Sequence, residues 1–183
     1  MRKYFYITWA APIAAAGLLI FAPALKAVEV PDSDHVTKLL SDVKTQAFQL
    51  KEDAEYMQSF TRSTASWETH AVQITFIKEH VNDLYKQELK LKEKRANASV
   101  WQKRAIDRIM PFLDELGGYT SAVIEHLNAS PRNLNTAEYR DFLEANADYA
   151  GDLAAMISDF VNYGKAKNRV EYLNDKLELP VSQ

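Results

Sequence analysis

The sequence predicts an all-α protein, an antiparallel up-down-up-down four-helix bundle whose fourth helix is the longest. Three observations carry that expectation. Apolar residues recur three and four residues apart along four long stretches, which is the spacing of one helix face. Only 5 glycines and 6 prolines interrupt the 183 residues. No stretch alternates apolar and polar residues as a half-buried strand does. The length suffices for one domain with a real core.

Residues 1–27 stand apart from that domain. A basic start, Met1-Arg2-Lys3, precedes an apolar run over 4–25 and then small residues that suit a signal peptidase. The expectation is a secretory signal peptide cleaved after Ala24 or Ala27, the latter preferred, with retention as a signal anchor as the alternative. The expected location is therefore the bacterial periplasm or exterior. Cleavage removes Arg2, Lys3 and Lys26 and no acid, leaving 19 basic against 25 acidic residues. That balance speaks against nucleic acid as a partner, and once the signal is gone no membrane contact is expected. The chain has no cysteine, which excludes disulfides, thiolate metal sites and thiol nucleophiles.

Residues 28–183 form the single expected domain. Asp32, Ser33 and Asp34 are all N-cap types, and the first helix is expected over about 34–60. Its stripe is Val36, Leu39/Leu40, Val43, Ala47, Leu50, Ala54, Met57 and Phe60. Ser63 or Ser66 can start the second helix, over about 66–95. Its seam is heptad-spaced: Trp67, His70, Ile74, Ile77, Val81, Leu84, Glu88 and Leu91. Ser99 and Gln102 have capping-box spacing for a third helix over about 99–128. Pro111 lies inside that helix, where the in-phase periodicity predicts a kink rather than an end. The third seam is Ile106, Ile109, Leu113, Leu116, Thr120, Val123 and Leu127. Thr136 can cap the fourth helix, over about 136–177. That seam starts at Tyr139, Phe142/Leu143 and Asn146, and continues through Tyr149/Ala150, Leu153, Met156/Ile157, Phe160 and Tyr163. It ends in Val170, Leu173 and Leu177. The fourth helix should overhang the bundle over residues 168–177, where it could bend back or join a second copy in a homo-oligomer.

Candidate chemistry is sparse. In antiparallel hairpins, residues equidistant from a turn face each other, which gathers Met57, His70, His126 and Tyr139 into one layer. Imidazole and thioether on facing helices can hold copper or haem, so His70 with Met57 or His126 is the metal candidate. The plainer alternative is a hydrogen-bonded seam histidine. If His70 only packs, its replacement by leucine should be tolerated or mildly stabilising. His35 and His80 have no partner by spacing. Glu88 is either a buried general acid or, preferably, a residue that turns to the edge and pairs with Lys103 or Arg104. Asn146 suits a register-fixing role. No glutamate stands three residues before a histidine, which rejects a di-iron site. Hydrolase and nucleotide-binding motifs are absent.

SFTRSTASWETHAVQITFIKEHVNDLYK, ASVWQKRAIDRIMPFLDELGGYTSAVIEHLN and YRDFLEANADYAGDLAAMISDFVNYGKAK resemble exported helical-bundle proteins of soil bacteria, acidobacteria especially, which have no assigned activity. The resemblance implies a signal peptide and a bundle, and carries no catalytic residues. The L-T-x-x-Q motif of periplasmic envelope-stress chaperones is absent. The expected function is therefore non-enzymatic: a scaffold, regulator or holdase that acts on a protein partner in the envelope and needs no cofactor. Metal or haem binding is the alternative.

Overall fold

The computed structural model describes residues 30–179; the expected signal peptide lies outside them. Four helices follow in order: α1 (Asp34–Ser59), α2 (Trp67–Lys94), α3 (Val100–Ala129) and α4 (Ala137–Lys176). Short 3-10 turns extend α1 and α2, and no strand occurs among the described residues. Side chains start the helices where the sequence offers caps. Ser33 Oγ accepts from Val36 N, Ser66 Oγ from Thr69 N and Thr136 Oγ1 from Tyr139 N. At α3 the Gln102 side chain reaches back to the Ser99 backbone N–H at 3.0 Å.

α1 packs on α2 and α4, and α3 packs on the same two helices, so the four form a square. Neighbours run antiparallel, as cross-helix bonds mark at several levels. Tyr85 of α2 donates to Leu113 O of α3. Thr120 of α3 donates to Asn146 Oδ1 of α4, which joins two seam polar residues in the core. One hydrophobic core runs the length of the square, through Leu40, Leu50, Ile77, Leu84, Ile109, Leu116, Leu143 and Leu153.

The first and third seams are buried as the spacing predicts, save for Leu39, which is half-buried. Two details differ elsewhere. Trp67 at the start of α2 is 36% exposed, because its ring lies across the bundle end and its Nε1 donates to Leu127 O at 2.9 Å. That bond satisfies one of the orphan carbonyls in the last turn of α3. In α4 the seam leaves Phe160 and Tyr163 and runs through Ile157, Val161 and Gly164 instead. The Trp101 ring is the reason. A Cβ on Gly164 would lie 2.7 Å from Trp101 Cη2, so only glycine lets α4 pass there. α3 continues through Pro111, which is exposed. Its missing N–H therefore leaves a carbonyl that water can reach.

Candidate functional site

The N-terminal end of α3 is built around two adjacent residues. Gln102 is fully buried and uses both ends of its amide. Its Oε1 accepts from Ser33 N and Ser99 N, and its Nε2 donates to Ser33 O and Thr37 Oγ1, all within 2.9–3.0 Å. It ties the start of α1 to the start of α3. Trp101 turns the other way, onto α4, and its Nε1 donates to Asp32 Oδ1 at 2.8 Å. Lys167 Nζ lies 3.2 Å from the same oxygen. Burial pushes the Asp32 carboxyl up, but hydrogen bonds, those from Trp101 and Lys167 among them, outweigh it and hold the pKa below the usual range. The indole is thus fixed at both edges: Asp32 at its nitrogen, Gly164 beneath its six-membered ring.

Trp101 also lines the outer side of the α3–α4 pair. Between the two helices lies a groove of about 830 Å³. Its apolar lining is Val100, Trp101, Phe112, Met156, Phe160 and Tyr163. Tyr163 is 56% and Val100 66% exposed, so the lining is open to solvent. The walls carry opposite charge: Arg104 and Arg108 on α3, Asp152 and Asp159 on α4. None of these four makes an ion pair with another described residue. The groove thus joins an apolar lining to four charges that pair with no other described residue, the composition of a contact face rather than of a closed core.

The residues nominated for metal or haem lie at the opposite end. His70 is buried and shares a 2.8 Å hydrogen bond through Nδ1 with the hydroxyl of Tyr139, itself fully buried. Desolvation lowers the His70 pKa below its ordinary value and raises that of Tyr139. His126 stacks on the other side of the layer, 4.7 Å from the Tyr139 ring centroid, and its Nε2 donates to Asn133 O at 3.0 Å. Phe60 meets His70 edge-on at 5.0 Å. Met57 is buried in the hydrophobic cluster. Of the four residues expected in one layer, His70, His126 and Tyr139 meet, with the Tyr139 ring touching both imidazoles. Among the described residues no group of three or more His, Cys, Asp or Glu side chains is placed to hold a metal ion.

Two expectations for polar residues of α2 are corrected. Glu88 does not turn to the edge and pairs with neither Lys103 nor Arg104. It is 1% exposed, and Lys92, one turn on in the same helix, brings its ammonium to 2.9 Å. The long lysine stem spans the distance, so the charge comes to the carboxylate. His80 does have a partner: its Nε2 lies 3.0 Å from Asp53 Oδ2. Gln73 Nε2 donates to the other carboxylate oxygen, so Asp53 braces α1 against α2. A loose loop boundary in the hairpin register hides that pair from spacing alone.

Comparison with known proteins finds no matching family model, no matching curated protein and no matching solved structure.

Proposed function

We infer that the protein is an exported, non-enzymatic helical bundle that works through protein contacts, and that the α3–α4 groove is its contact face. The observation that carries the reading is the groove itself, an open apolar floor between a cationic and an anionic wall. Its long, narrow form follows two antiparallel helices and suits an amphipathic helix whose flanks carry opposite charge. A scaffold, regulator or holdase would use such a face; the resemblance to exported soil-bacterial bundles and the apolar residues 4–25 support the location.

The test is a photo-reactive phenylalanine analogue at position 160, expressed in the producing cell. An adduct of polypeptide mass that disappears when Arg104 and Arg108 become glutamate is expected. No polypeptide adduct at 160 or 163 would contradict the reading. Cell fractionation with N-terminal sequencing checks export, with Val28 the expected first residue.

A second reading is metal or haem binding through His70 with Met57 or His126. The observation in its favour is that His70 borders a cavity of about 300 Å³ at the bundle end. His70 Nδ1 is engaged by Tyr139, so a metal there would take Nε2; His126, bonded through Nε2, would offer Nδ1. Copper and haem titrations of wild type and His70→Ala read this directly. Identical titrations remove it.

A further inference from the structure

Beyond the Trp101 clamp, α4 leaves the bundle. Residues 168–172 are exposed, and Val170 and Leu177 keep 56% and 58% of their surface in water. Val170, Leu173 and Leu177 form one apolar stripe by helical spacing. The charges beside the stripe are sorted. Arg169 and Lys176 lie on one flank, each over the Tyr172 ring, at 5.3 and 5.9 Å. Glu171 and Asp175 lie on the side of the helix away from the stripe, one turn apart. Within its own chain Glu171 has only a long contact to Lys167, at 3.7 Å, among the described residues.

Tail and groove have matching periods. The acidic wall places Asp152 and Asp159 two turns apart, and the basic flank of the tail places Arg169 and Lys176 two turns apart. The match also has a centre. Asp159 and Arg169 stand five residues either side of Gly164, and Asp152 and Lys176 stand twelve either side of it.

We propose that the occupant of the groove is the α4 tail of a second copy of this chain, docked reciprocally about a two-fold axis near Gly164. The two α4 helices then run antiparallel, and each tail runs parallel to the α3 it covers. A right-handed helix seated stripe-down in that direction turns Arg169 and Lys176 toward Asp159 and Asp152. The opposite direction sets like charges together. Because each copy gives one tail and receives one, the contact is isologous and closes at two. Burying the stripe on the groove floor supplies the attraction. The exposed ion pairs add little individually but fix direction and register, since like charges at those places oppose docking.

The proposal rests on the groove being a contact face, and its test separates the two. Purified wild type, Asp152→Lys/Asp159→Lys, Arg169→Glu/Lys176→Glu and an equimolar mixture of the two variants are compared by size-exclusion chromatography with light scattering. Circular dichroism confirms helix content in each. Wild type should be a dimer and each variant a monomer. The mixture should recover a 1:1 heterodimer, because the lysine-walled groove of one variant accepts the glutamate tail of the other while the reverse contact stays native. A monomeric wild type overturns the proposal, as does a dimer that survives in both variants or a mixture that stays monomeric. If wild type is monomeric while position 160 captures a different polypeptide, the second copy is wrong and the groove stands; if nothing is captured either, both fall.

Discussion

The two ends of the bundle treat their aromatic residues in opposite ways. At the end where α2 and α4 begin, Tyr139 is wholly buried, its hydroxyl held by His70 and its face covered by His126. At the other end Trp101 is wedged outward between α3 and α4, and Tyr163 beside it is 56% exposed. The first end spends its aromatic and polar atoms on each other and closes. The second satisfies the indole with Asp32, just ahead of α1, and leaves a groove and a projecting helix. On the reading proposed above, contact with another chain belongs at the end where apolar surface stays outside.

Several substitutions grade that contrast. Ile77→Ala, in the core between the two ends, sets the scale and should cost about 2–5 kcal/mol in chemical denaturation. His70→Leu strands the buried Tyr139 hydroxyl and should cost about 1–3 kcal/mol. That reverses the tolerance expected of a histidine that only packs. His70→Leu combined with Tyr139→Phe should recover most of the loss, because both polar partners are then gone. A double mutant as unstable as the two single losses added together would break the closed-end account. Gly164→Ala forces a methyl into the Trp101 ring and should cost about 1–3 kcal/mol, with a red shift in Trp101 emission. An unshifted spectrum at full stability would mean that the wedge is not rigid.

Mild acid should act on the closed end first. The His70 pKa is lowered in the fold from its unfolded value of about 6.5, so the unfolded chain binds the extra proton first. The stability that the neutral ring contributes is complete above the unfolded pKa and is lost as pH falls through and below it. Thermal midpoints measured from about pH 7.5 down to 5 should therefore drop more steeply for wild type than for the His70→Leu/Tyr139→Phe variant. At the small end of the scale, Tyr163→Ser should change stability by less than about 0.5 kcal/mol while weakening whatever the groove holds.

Much of this was legible in the sequence. Heptad spacing located four helices and nearly all of the core, and Ser33, Ser66 and Thr136 marked where three of them start. Hairpin arithmetic brought His70, His126 and Tyr139 together, because antiparallel helices of regular rise keep their levels. It could not supply rotation about each helix axis, which decides that Tyr139 lies between the two imidazoles. The groove was harder to read. Phe160 and Tyr163 satisfy the seam pattern as well as Val161 and Gly164 do, and apolar spacing cannot choose between them. The choice is made by Trp101 from another helix, a contact with no local signature except the glycine in VNYGKAK. Gln102 showed only its capping role, since its bonds to Ser33 and Thr37 cross between helices far apart in sequence.

The most direct measurement uses the absence of cysteine. Met156→Cys on one copy and Leu173→Cys on another should lie face to face if the tail of one chain fills the groove of the next. Mild oxidation of the mixed variants should then give a disulfide-linked dimer joining 156 to 173. A control pair with Val72→Cys, on the exposed face of α2, should give only background. A 156–173 yield no higher than that control would contradict the central claim that the α4 tail of a second copy fills the α3–α4 groove.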